Sequence, residues 1–291
     1  MSTPQLIQAA NAILGEGPTW DSARELLYWV DVQRPAIFRF DPGRGQTGLW
    51  PMPRPVGCVV PTRCAERLVF ADVDGFGSLD IRTGAITRLA HVPQEAPGNR
   101  FNDGKVDRAG RLWAGTIDGP CVRPTGSLYR LDADGRVHPM ESGLICSNGL
   151  GWSPDNSRMY LTDSLVRTIW VYDFDLKSGS LGTRRVFAKL SDDDGLPDGL
   201  AVDREGYIWS AIWDGWRLIR FAPDGSIDTE VRMPVQRPTS CVFGGPDLKT
   251  LYITSACVEL GWSDLQNGPL AGGLFSLACA TPGLPATPYG G

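Results

Sequence analysis

Histidine is almost missing from this chain. Only His91 and His138 occur, which removes most Ser–His–Asp and His-rich zinc chemistries before any fold is considered. No apolar run approaches the roughly 18 residues that a membrane-spanning helix needs, so no membrane partner is expected. Met1 to Ala12 lacks a basic segment followed by an apolar core, so no secretory leader is expected either. Lys and Arg total 28 against 33 Asp and Glu, with no basic cluster; nucleic acid is not an expected partner. The seven Cys are odd in number, scattered and never spaced C-x-x-C. Without an export signal they read as reduced, mostly buried small residues, and a cytoplasmic location is expected.

The chain is rich in turn residues and apolar residues: 35 Gly, 23 Pro and 42% hydrophobic. That combination predicts a sizeable core made of many short strands. Six segments repeat one apolar–aromatic pattern. Their landmark positions are Tyr28, Val69, Trp113, Tyr160, Trp209 and Tyr252, separated by 41, 44, 47, 49 and 43 residues. Further alternating segments flank each landmark, among them Ile169-Trp170-Val171-Tyr172 and Leu218-Ile219-Arg220-Phe221. Their period of two is that of strands, and Asp134-Gly135 and Asp224-Gly225 supply hairpin turns. Four strands in a unit of about 45 residues make a propeller blade. The expected fold is all-β, a six-bladed β-propeller of four-stranded antiparallel blades, one domain over residues 1–291. A β-sandwich would need the six matching units to be coincidence. A monomer is expected.

Equivalent positions of different blades meet around the central channel of a propeller. Glu16 and Asn148 each stand twelve residues before their landmark, and Asn102 and Asp198 eleven before. Two carboxylates and two carboxamides are thereby brought to one end of the channel, among glycines that let backbones approach closely. Like charges so placed call for a neutraliser, and one divalent cation is the simplest. An all-oxygen set suits Ca, Mg or Mn first, with Zn or Fe less favoured. Asn-Gly and Asp-Gly are also ordinary turn dipeptides; the matched phase is what sets these apart. Asp192-Asp193-Asp194-Gly195 lacks the spacing of a calcium loop and reads as a solvated loop leading to Asp198.

At these residues the sequence resembles the regucalcin/gluconolactonase family of sugar lactonases, the senescence marker protein type. The matching stretches are Gly15-Glu16-Gly17-Pro18, Arg100-Phe101-Asn102-Asp103-Gly104, Ser147-Asn148-Gly149-Leu150, Pro197-Asp198-Gly199-Leu200 and Phe243-Gly244-Gly245-Pro246-Asp247. The resemblance implies a six-bladed propeller with one catalytic divalent cation held by Glu16, Asn148 and Asp198. It also implies substrate contacts from Arg100 and Asn102. An acidic substrate contact of the family falls here near Pro120, and Asp118 is the candidate to replace it. The implied activity is hydrolysis of a sugar lactone to the aldonic acid.

A lactone is a cyclic ester, and its hydrolysis builds charge on the carbonyl oxygen, which a cation stabilises as a Lewis acid. Water is the expected nucleophile, with Asp198 as general base and Asp103 as a second candidate. Trp29, Trp213 and Trp216 are candidates to wall the pocket, with core packing as the competing reading. Two other classes stay open: a propeller hydrolase of other esters or phosphotriesters, and a non-enzymatic calcium-binding interaction propeller.

Overall fold

A computed structural model describes residues 3–92 and 95–291. Among these residues, 24 strands form six four-stranded antiparallel sheets, the propeller expected from the repeat. The first strands of the sheets are Gly15–Asp21, Val56–Pro61, Asn99–Val106, Ser147–Trp152, Leu196–Val202 and Pro238–Gly244. Each touches the first strand of both neighbouring sheets, and the sixth touches the first, so they close a ring around the axis. Numbering the blades by these inner strands, blade one continues outward through Leu26–Asp31, Ala36–Asp41 and Gln46–Pro51.

The alternation in sequence has a direct structural cause. In Leu26–Asp31, Leu27 and Trp29 face blade six while Tyr28 and Val30 face blade two. A second strand is thus buried on both sides, and every one of its residues must pack. The six landmark residues are all buried. Burying one such side chain stabilises the fold by about 2–3 kcal/mol. The core is divided accordingly into six apolar layers, one between each pair of adjacent blades. Outermost strands such as Gln46–Pro51 alternate between exposed and half-buried residues, as a one-sided edge requires.

Two features have no counterpart in the repeat. The outer strand of blade six is Gln5–Gln8, which pairs antiparallel with Leu274–Ala278 and so joins the start of the chain to its last blade. The C-terminal segment then crosses the face opposite the inner-strand starts. Gly283 N–H donates to Leu248 O, Tyr289 N–H to Pro61 O and Gly290 N–H to Gly110 O. No helix among the described residues is long and apolar enough to cross a membrane.

Inner strands approach so closely that side chains are excluded at some points. A Cβ on Gly57 would overlap the carbonyl of Phe101 and press against the Asn102 amide nitrogen of the next blade. Backbone cannot yield there as a flexible side chain could. Gly57→Ala is therefore expected to lower stability by about 3 kcal/mol, measured by denaturant unfolding; a loss under about 0.5 kcal/mol would show that the blades can separate at no cost.

Candidate functional site

Every inner strand breaks its ladder near its start. The register with the second strand slips between Glu16 and Thr19, Val56 and Cys58, Phe101 and Asp103, Ser147 and Leu150, Pro197 and Leu200, and Pro238 and Ser240. A β-bulge adds a residue to one strand and re-aims its side chains. Asn102, Asn148 and Asp198 sit inside these bulges, and Glu16 opens the first. Gly17 adopts φ +52° just after Glu16, packed against Gly57 O. A left-handed turn in that space favours glycine.

Glu16, Asn102, Asn148 and Asp198 are all buried. Asn148 Nδ2 donates to Ser164 Oγ at 3.1 Å, and the amide lies near enough to Asp198 to favour its charged form. Glu16 Oε2 accepts the Gly17 N–H at 3.0 Å. Two oxygens, Asn148 Oδ1 and Asp198 Oδ1, are sealed from solvent with no hydrogen-bond partner among the described residues. Orphaned buried acceptors are costly and uncommon.

The charges in this volume oppose one another. Burial first, and then Asp103, push the Glu16 carboxyl up to about 8. Burial, Glu16 and Asp103 push Asp198 well above the usual carboxylate range. Asp103 rises to about 6 through burial, moderated by Lys105 and by the Gly104 N–H, which it accepts at 2.7 Å. Lys105 donates to Leu200 O at 2.7 Å, farther down the channel. Beyond it lies a cavity of ≈ 100 Å³ walled by Trp152, Phe243 and Leu284.

Arg100 is half-buried beside this group. Its Nη1 donates to Asn102 Oδ1 at 2.9 Å and to Phe101 O at 3.1 Å, and burial lowers its pKa. Among the described residues it makes no ion pair, whereas Arg34, Arg123, Arg167 and Arg237 on the mouth connections each pair with an aspartate. Asn102 Nδ2 donates to Ser147 O at 3.0 Å, across to blade four.

The structure engages Asp118 elsewhere. Its carboxylate accepts the backbone N–H groups of Val122 and Arg123 and the Arg123 guanidinium. Those bonds hold it down to about 2. Asp31 and Asp163, three residues after their landmarks where Asp118 is five after, accept backbone N–H groups of the segments that arrive before their inner strands. Asp118 instead anchors the loop that follows its own strand. Cys121, in the same loop, feels the Arg100 charge, and its thiol is drawn down to about 7 by Cys146 first and then by Arg100.

Trp29 stacks on Phe38 inside the layer between blades one and six, not in the channel. Trp213 and Trp216 are half-buried on mouth connections under Arg237 and Arg232. The Asp192–Asp194 loop forms surface ion pairs with Arg167 and Arg217. His138 pairs with Asp132 at 3.1 Å, on the third and fourth strands of blade three, away from the inner strands.

Among the described residues, no three of His, Cys, Asp and Glu gather as a metal cluster. A cation at this mouth would have to use the Asn148 amide oxygen besides the two carboxylates. The donors fit one: two free buried oxygens and a carboxyl pair held proton-rich by burial and by neighbouring carboxylates are what a hard divalent ion relieves.

Fold and site together define a β-propeller with a buried, oxygen-rich polar centre at one end of its channel. The SMP-30/Gluconolactonase/LRE-like region model matches residues 14–257, and the chain belongs to this family. It is 37% identical to a 6-deoxy-6-sulfogluconolactonase of Pseudomonas putida, over 94% of this chain and 93% of that one. It is 36% identical to a pentonolactonase of Haloferax volcanii, over 94% and 93%. A calcium-binding protein, regucalcin, from Agrobacterium tumefaciens superposes with a TM-score of 0.93 at 27% identity, covering 99% of each chain.

A carboxyl whose folded pKa is raised ionises at the expense of the folded state. Stability of chelator-treated protein is therefore expected to fall as pH rises from the ordinary 4.5 to about 8 for Glu16. Glu16→Gln should flatten that slope. Denaturation midpoints read against pH check it, and equal slopes in the two proteins would contradict the repulsion.

Proposed function

We propose that this protein is a divalent-cation-dependent sugar lactonase, which hydrolyses an aldonolactone to its aldonic acid. The observation that carries the reading is the pair of orphaned acceptors, Asn148 Oδ1 and Asp198 Oδ1, buried beside Glu16 in a family with sugar lactonases. Glu16, Asn148 and Asp198 would hold the cation, and their hard oxygens favour calcium, magnesium or manganese. When bound, the cation supplies Lewis-acid polarisation of the lactone carbonyl.

The remaining chemistry belongs to the chain. Arg100 keeps guanidinium donors beyond the two that Asn102 and Phe101 take, and these suit sugar hydroxyls and the carbonyl. Water is the nucleophile. As its oxygen bonds to the carbonyl carbon, Asp198 takes its proton. The bond from that carbon to the ring oxygen then breaks, and the proton passes to the departing oxygen. Asp103, raised to about 6, is the second candidate for the proton. Asp118 holds the blade-three loop and has no direct part in this scheme. A lipophilic ester or phosphotriester would need an apolar mouth, and the side chains here are Glu16, Arg100, Asn102, Asn148 and Asp198.

The test is a panel of hexono- and pentonolactones followed with a pH indicator, on stripped protein given each cation in turn. At least one lactone should turn over, and chelator should stop it. Asp198→Asn should lower kcat/KM by about 10³-fold with the fold intact. Hydrolysis of phosphotriesters but of no lactone would move the protein to a different class of hydrolase.

A further inference from the structure

Asn102 lies in the bulge between Phe101 and Asp103, so its side chain leaves the blade-three ladder and reaches blade four. Its two amide ends serve different neighbours. Oδ1 accepts from Arg100 Nη1 at 2.9 Å, and Nδ2 donates to Ser147 O at 3.0 Å. The Ser147 carbonyl belongs to the peptide unit that carries Asn148, whose Oδ1 is one of the two buried oxygens without a partner among the described residues. Two hydrogen bonds and one peptide therefore connect the guanidinium to Asn148. Gly57 makes room for the bulge, since any Cβ there would meet Phe101 and Asn102. Asn102 is itself buried, with one proton and one lone pair left for anything else.

We propose that Asn102 is a positioning residue that fixes the cation-holding segment of blade four to Arg100, and that it governs cation affinity before any substrate is present. The proposal rests on the reading of Glu16, Asn148 and Asp198 as the cation site. Outer partners of this kind typically change cation affinity by about 10–100-fold when removed. If Asn102 served only as a substrate contact, its loss would leave cation binding untouched.

Calcium titration calorimetry on chelator-stripped protein, with no lactone present, separates the two. Asn102→Ala should weaken calcium at least about tenfold, and should also raise KM once calcium is saturating. Asn102→Ser, which is smaller but keeps one hydrogen bond, should fall between Ala and wild type and covers a failure of the Ala variant to fold. Arg100→Lys removes the Nη1 donor that engages Asn102 while keeping the charge and every cation oxygen, so it should weaken calcium by less. Calcium affinity equal to wild type in the folded variants, with only KM raised, overturns the proposal and leaves the lactonase reading standing. Wild-type protein that binds no calcium, magnesium or manganese overturns the cation site itself, and this inference with it.

Discussion

Six strands converge on one axis, and near the mouth of the channel their backbones come within contact of one another. That crowding is the constraint from which the site follows. Gly57 has no room for a side chain, and an uninterrupted ladder would point side chains alternately at the two neighbouring blades rather than at the axis. The bulges resolve the conflict. Each inner strand leaves its partner for one or two residues where crowding is greatest, and those are the residues whose side chains then face the axis. Packing and chemistry are thus two consequences of the same close approach.

The electrostatics depend on that geometry. Three carboxylates, Glu16, Asp103 and Asp198, are drawn into a dry volume; burial raises all three, Asp103 raises Glu16 further, and both raise Asp198. Lys105 moderates Asp103 from below and Arg100 moderates Glu16 from the side. Neither forms a close ion pair with Glu16 or Asp198. A surface carboxylate would be quenched by solvent or by a neighbouring arginine, as Asp214 is by Arg237 at 2.6 Å. At the axis the repulsion persists, and a buried, unquenched acid pair is the kind of feature that marks function more often than stability. The amide oxygen of Asn148 adds a donor without adding further charge to these carboxylates.

Much of this was legible in the sequence because it repeats. The landmark residues are buried in every blade for one reason: a strand sandwiched between two blades must be apolar on both faces. Phase alone placed Glu16, Asn102, Asn148 and Asp198 at the inner-strand starts. Gln5–Gln8 was not legible, because a four-residue strand that completes a distant blade carries no periodic signal. The C-terminal crossing was hidden for a similar reason: its backbone bonds to Leu248, Pro61 and Gly110 leave little trace in side-chain pattern. Trp29 was open to two readings because alternation alone does not say which face of an inner or second strand meets the channel.

Asp118 carries the most general lesson, since residue type and proximity both pointed to a substrate contact. A carboxylate near a pocket can be there for the ligand or for the loop, and the two uses differ in what satisfies its oxygens. Asp118 has two backbone N–H groups and a guanidinium on its carboxylate, so a sugar hydroxyl would have to displace bonds already made. Asp198 is the opposite case, with one oxygen orphaned and its charged form disfavoured. Asp31 and Asp163, at the ends of the second strands of blades one and four, spend their oxygens on backbone N–H groups in the same way. A carboxylate at a strand end whose oxygens are already filled holds a loop, and one left with an empty acceptor at the axis is free to be chemistry.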